Sequence, residues 1–134
     1  MRLVIDTNVL AVCFSHKSPY RKIFDSFLNG ELTLCVTTDI LTEYEEIIGK
    51  HLNPAIATSV LQLIENAPNV VWVTKYYKWN LIKADPDDNK FADCAIASNA
   101  KYLVSNDRHF NVIKELPFPK VDVINAAEFL EVLK

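Results

Sequence analysis

Four carboxylates occupy positions from which they could act together: Asp6, Glu43, Asp88 and Asp107. Asp6 follows a short β-branched run, Arg2-Leu3-Val4-Ile5, and Asn106-Asp107 sits at the end of a second short apolar run, Tyr102-Leu103-Val104-Ser105. Runs with so little polar alternation read as central strands of a parallel sheet. Two acids at the carboxyl ends of such strands face one edge crevice, where open α/β sheets bind ligands. Like charges brought close raise each other's pKa unless a cation compensates them. Mg²⁺ or Mn²⁺ suits the task, because these ions take carboxylate oxygens, keep several waters and meet substrate phosphates. Such an ion activates water and stabilises charge developing on phosphorus.

Each acid also has a plainer role available. Asp6 and Asp107 could each open an Asx-turn or cap the element that follows. Asp85-Pro86-Asp87-Asp88 is a good helix start in its own right, with acids at the positive end of the dipole. Glu43, beside Ile47, and Glu45, beside Leu41, flank opposite sides of the apolar stripe Ile40-Leu41-Tyr44-Ile47-Ile48, and periodicity does not choose between them. Asp93 interrupts the apolar stretch Phe91-Ala92-Cys94-Ala95-Ile96, so it faces solvent, is paired, or is a further metal-binding acid.

The elements that must position these residues alternate. Strands are expected at residues 2–5, 32–36, 70–73, 102–105 and 121–124. Between them, a helix starts at Val9, and a second is capped by Ser18 with Pro19 and stops at Asn29-Gly30. A third runs from Thr37-Thr38-Asp39 to Gly49, and a fourth opens at Asn53-Pro54 and stops before Pro68. A fifth runs from Asp85 to about Asn99, a short one covers 110–115, and a closing helix covers 126–133. Residues 76–83 fit neither period. Alternation of this kind implies right-handed crossovers and a parallel sheet of four to five strands covered on both faces, a three-layer α/β/α sandwich.

The chain has 134 residues, half of them apolar, enough for one domain with a full core. No apolar run reaches the roughly 18 residues needed to span a bilayer, and the first residues enter a strand without a signal-peptide pattern. Cys13, Cys35 and Cys94 stand apart in apolar settings, which argues for reduced core thiols and a cytoplasmic location, and against a disulfide frame or zinc site. Net charge is −3, unfavourable for phosphate binding unless an acid-bound cation reverses the sign locally. Two glycines exclude Gly-rich phosphate loops.

Four blocks taken in order, Ile5 to Leu10 (IDTNVL), Thr37 to Ile48 (TTDILTEYEEII), Asp85 to Ala97 (DPDDNKFADCAIA) and Ala100 to Asp107 (AKYLVSND), resemble the PIN-domain ribonucleases. The branch they are most similar to is the VapC-like toxins of toxin–antitoxin pairs. The resemblance implies a PIN-like fold and Mg²⁺- or Mn²⁺-dependent hydrolysis of RNA phosphodiesters, leaving 5′-phosphate and 3′-hydroxyl ends. It also implies a homodimer and inhibition by a small antitoxin protein. It puts the metal-binding acids on Asp6, Glu43, Asp88 and Asp107, with Glu43 acting through water or orienting the attacking water. Asn8 and Ser105 match supporting polar positions, and Asp93 matches a position that is acidic in some relatives. Asn106 stands where relatives commonly carry glycine, which puts the shape of that turn in question.

No nucleophilic side chain is required, and His16, His51 and His109 read as surface histidines without catalytic pairing. Substrate grip falls to Arg21 and Lys22, to Lys78 and Lys83 with Tyr76, Tyr77 and Trp79, and to Arg108-His109. The aromatics could stack on unpaired bases, or pack in the core or a dimer contact. Two other functions share the acids. One is a metal-dependent phosphohydrolase of small esters, disfavoured because Asp6 is followed by Thr7-Asn8 and not by a second acid two residues on. The other is a binding module without turnover.

Overall fold

Strand β1 (Arg2–Ile5) lies at the centre of a five-stranded sheet, with β2 (Thr33–Val36) on one side and β4 (Tyr102–Val104) on the other. The order is β3-β2-β1-β4-β5, with β3 at Val70–Trp72 and β5 at Val123–Ile124, and every pairing is parallel. The computed structural model describes residues 1–74 and 76–134. Leu3, Val4 and Ile5 are buried on both sheet faces, as their unbroken apolar run requires. Leu3, Ile5 and Leu34 share one face with Ile23, Phe24 and Phe27 of α2 (Arg21–Leu28) and Ile64 of α4 (Pro54–Asn66). On the other face α5 (Asn89–Ser98) packs across β1, β2 and β4. The result is the expected α/β/α sandwich.

Chain direction decides where the sheet opens. From β1 the chain steps outward to β2 and β3, then returns across the sheet to β4 and β5. The strand order therefore reverses between β1 and β4, and the carboxyl ends of these two strands border the crevice that such a reversal leaves open. Register fixes their ends level, with Ile5 opposite Val104. The next residue along, Asp6, donates its N–H to the Val104 carbonyl at 2.9 Å.

Element boundaries follow local chemistry, with four departures from the sequence reading. Helix α1 (Thr7–Ala11) starts directly after Asp6, so Thr7 and Asn8 form its first turn. Ser18 does not cap α2; its hydroxyl donates to the Val12 carbonyl at 2.6 Å and accepts from the Tyr20 N–H at 3.1 Å, holding a turn ahead of the helix. Helix α3 (Thr38–His51) runs through Gly49, which does not take the positive φ of a glycine terminator. A Cβ there would meet the Ala57 Cβ of α4 at 3.6 Å. Strand β5 begins at Val123, two residues later than expected.

Residues 76–83 carry no helix or strand. Side chains from the next helix hold them: Asn89 accepts from the Ile82 N–H at 2.8 Å and donates to its carbonyl at 3.0 Å. Lys75 lies outside the described residues. The remaining elements are a 3₁₀ turn at Pro86–Asp88, another at Arg108–Phe110, α6 (Asn111–Lys114) and α7 (Ala126–Val132). Among the described residues, no helix is long and apolar enough to cross a membrane.

Candidate metal centre

Asp6 is 4% exposed, and its carboxylate does not cap α1. Its Oδ2 instead accepts the Ser105 hydroxyl at 2.7 Å, across 99 residues of chain. The same Ser105 oxygen accepts the Asp107 N–H at 3.0 Å. One hydroxyl thus ties the end of β1 to the loop after β4. Asp107 does act as a cap, its Oδ1 accepting from the His109 N–H at 2.9 Å, which leaves Oδ2 free of that duty. Asn106 keeps an ordinary negative φ and accepts from the Ala126 N–H at 3.0 Å, so the turn does not require glycine.

Helix α3 brings Glu43 to the same crevice. Tyr44 is fully buried and its hydroxyl donates to the Ile5 carbonyl, the last peptide oxygen of β1. With Tyr44 fixed inward, Glu43 turns toward α1 and Glu45 and Glu46 are exposed. Glu43 Oε2 accepts from the Thr7 hydroxyl, and Oε1 lies 2.7 Å from the Lys90 ammonium. Asn8 is exposed, and Thr7 is the residue of that turn that bonds a carboxylate.

Asp88 enters from the 3₁₀ turn that precedes α5, which Asp85 caps by accepting from the Asp87 N–H at 3.2 Å. Asp88 Oδ2 lies 3.4 Å from His109 Nδ1, and Asp107 Oδ1 lies 3.3 Å from the same nitrogen. Asp88 Oδ2 and His109 Nδ1 are both buried and neither makes a hydrogen bond. Asp85, Asp88 and His109 each offer a ligand atom within 4.8 Å of the others, the one such grouping among the described residues.

The electrostatics show that the acids share a region. Burial raises the Asp6 pKa, and Glu43 and Asp107 add to the rise against the Ser105 hydrogen bond. Burial also pushes Asp88 up to about 7, with Asp85, Asp107 and Asp6 contributing. Burial opposes the charge on Lys90, but Glu43 outweighs it and the pKa is raised. Lys90 is therefore committed to Glu43, and the negative charge of the aspartates is left over. Oxygen donors in excess, with a buried carboxylate oxygen lacking any partner, fit a hard divalent cation.

Asp93 stands apart from this arrangement. Its Oδ1 accepts from the Trp79 N–H at 3.0 Å, and it lines a cleft of about 310 Å³ with Asp39, Tyr76, Lys78, Asn80 and Lys90. Arg21 is engaged by Asp25 at 2.9 Å and by the Phe14 carbonyl, whereas Lys22, Lys78, Lys83 and Arg108 are exposed. All three cysteines are free and buried. Burial pushes the thiols of Cys13 and Cys94 up to about 12, so neither supplies a thiolate nucleophile near neutral pH.

A family model described as PIN domain matches residues 2–109, the span that contains every residue of this crevice. The chain belongs to the PIN domain family. Among solved structures, this PIN domain is similar to VapBC2 from Rickettsia felis bound to a DNA fragment from their promoter. That match has 19% identity and a TM-score of 0.60, covering 93% of this chain and 98% of that one. It is similar to the sarcin–ricin loop cleaving toxin VapC20 of Mycobacterium tuberculosis, at 9% identity and a TM-score of 0.58, covering 81% and 92%. It is also similar to the PIN domain of human SMG5, at 13% identity and a TM-score of 0.53, covering both chains fully. Comparison with curated protein sequences found no match.

Sequence reasoning gives Lys90 no part in the PIN domain crevice, reads Asp85 only as a helix start and places His109 only among surface groups that could grip substrate. His109 reads as a surface histidine from the sequence, yet its ring stands between Asp88 and Asp107. The available signal is proximity: Lys90 and His109 each lie two residues beyond a predicted metal-binding acid, Asp88 and Asp107.

Proposed function

We propose that this PIN domain is a divalent-metal-dependent endoribonuclease, acting in the cytoplasm as the toxin of a toxin–antitoxin pair. What carries the reading is the convergence of Asp6, Asp88 and Asp107 on the β1/β4 crevice, with more negative charge than Lys90 offsets. Asp6, Asp88 and Asp107 would hold Mg²⁺ or Mn²⁺. The bound ion would supply positive charge to the scissile phosphate and lower the pKa of the attacking water.

The chain's own residues do the rest. Ser105 orients Asp6 and the backbone that carries Asp107. Glu43, gripped by Thr7 and Lys90, is the acceptor that orients water at the side of the crevice. The exposed Lys78 and Lys83, with Tyr76, Tyr77 and Trp79, form the groups that hold RNA beside it. RNA as substrate is supported by the similarity to VapC20, a toxin that cleaves the sarcin–ricin loop. A small antitoxin partner is supported by the similarity to VapBC2 bound to promoter DNA. The 134 residues act as one nuclease domain, and a homodimer is its working form.

A substrate panel tests the activity. Single-stranded RNA, structured RNA, DNA of the same sequence and a small aryl phosphate are each incubated with protein and Mn²⁺ or Mg²⁺. The proposal predicts internal cleavage of RNA. Turnover confined to the small ester would replace it with the phosphohydrolase reading, and metal binding without any turnover would leave a binding module.

A further inference from the structure

The geometry points to His109 Nδ1 as a ligand of the ion in this crevice, and hence to a site that prefers Mn²⁺ over Mg²⁺. The inference rests on the metal-dependent reading of the crevice and names a residue and a metal preference that the four-acid set does not include.

Three observations carry it. First, Nδ1 of His109 and Oδ2 of Asp88 are both shielded from solvent and both lack a hydrogen-bond partner, although they lie 3.4 Å apart. Asp88 as a whole is 9% exposed, so water does not readily satisfy that oxygen. Second, the spacing is long for a direct charge-assisted bond and close to that of two ligands on one ion. A charge-assisted N–H···O contact closes to about 2.8 Å. Neighbouring ligands on an octahedral ion with bonds of about 2.1–2.2 Å stand about 3 Å apart. The Nδ1 distances of 3.4 Å to Asp88 and 3.3 Å to Asp107 match the second case more nearly than the first. Third, the ring is held where it is needed. The His109 N–H is tied to Asp107 Oδ1 at 2.9 Å, and Phe110 next to it is fully buried.

The consequence for metal choice follows from donor chemistry. Mg²⁺ is held almost wholly by oxygen, whereas an imidazole nitrogen suits later and softer ions, and affinity for mixed N/O sites rises along the first transition row. An imidazole flanked by two carboxylates therefore favours Mn²⁺ over Mg²⁺. His16 and His51 are exposed, and His109 is the histidine whose ring stands against Asp88 and Asp107.

Electron spin echo envelope modulation on Mn²⁺ added to metal-stripped protein tests this without reference to activity. The inference predicts nitrogen modulation from a directly bound imidazole, which shifts on ¹⁵N-histidine labelling. The modulation persists in His16→Gln and His51→Gln and disappears in His109→Phe and in His109→Asn. Calorimetric titration should show Mn²⁺ affinity falling roughly tenfold or more in both His109 variants, with Mg²⁺ affinity changed less. Mn²⁺ bound to the wild-type protein with no nitrogen modulation would overturn the assignment while leaving the metal-dependent nuclease intact. Absence of any binding of Mn²⁺ or Mg²⁺ would overturn both.

Discussion

Ser105 Oγ donates to Asp6 Oδ2 at 2.7 Å, joining two residues 99 positions apart at the reversal of strand order. Asp6 is almost fully buried, and the Ser105 hydroxyl is the side-chain partner of its carboxylate. Ser105→Ala strands the oxygen, at a cost of about 1–3 kcal/mol for a buried group left unpaired. Urea unfolding of the metal-free protein should show that loss, and RNA cleavage should fall with it. Ser105→Thr keeps the hydroxyl and should recover most of both. An alanine variant as stable and active as wild type would deny Ser105 any positioning role.

Acidity should stabilise the metal-free protein. The folded-state pKa of Asp88 is raised to about 7 by burial and by neighbouring acids, and that of Asp6 is raised by burial. A raised carboxylate pKa means the folded state binds the proton more tightly. The associated stability is full below the unfolded carboxylate value and is lost as pH climbs through the folded value. Thermal unfolding without metal should therefore give a higher Tm at pH 5.5 than at pH 7.5. Asp88→Asn should flatten much of the difference, and saturating Mn²⁺ should reverse it, since the ion favours the deprotonated acids. A metal-free Tm that rises toward pH 7.5 contradicts the burial and charge crowding described.

Lys90 is the resident counter-charge of Glu43, at 2.7 Å. Lys90→Met leaves Glu43 beside the other acids with the Thr7 hydroxyl alone. Both groups retain some exposure, so the expected loss is modest, roughly 1 kcal/mol. Added Mn²⁺ should narrow the gap between variant and wild type, because the ion supplies the missing positive charge. An equal gap with and without metal would mean that Lys90 serves packing and not charge.

Asp93 faces Trp79 and the neighbouring cleft. Asn keeps an acceptor oxygen for the Trp79 N–H, so Asp93→Asn should cost no more than about 1 kcal/mol in urea unfolding and leave Mn²⁺ affinity unchanged. A tenfold loss of affinity by calorimetry would make Asp93 a ligand.

The sheet and the positions of Asp6 and Asp107 are legible in the sequence because each signal is local: a short apolar run, then an acid. Glu43 is not legible that way. The choice between Glu43 and Glu45 is made by Tyr44, whose hydroxyl seeks the Ile5 carbonyl, and helical periodicity carries no trace of that bond. Residues 76–83 resist reading for the same reason, since their path is set by Asn89 and Asp93 reaching back from α5. Ser18 shows the converse failure: a good capping pattern is overridden when the hydroxyl finds the Val12 carbonyl. Lys90 pairs with Glu43 and His109 meets Asp88, partners from distant segments that sequence neighbours do not announce, although Asp107 lies two residues before His109.

Whether the crevice acids work through a divalent ion is decided by cleavage of end-labelled RNA with wild-type protein and Asp6→Asn, each in Mn²⁺ and then in EDTA. Wild type should make internal cuts with 5′-phosphate ends in Mn²⁺ and none in EDTA, and Asp6→Asn should lose at least about a hundredfold in rate. Cleavage that survives EDTA, or that proceeds at the wild-type rate in Asp6→Asn, would refute a metal-dependent nuclease built on Asp6.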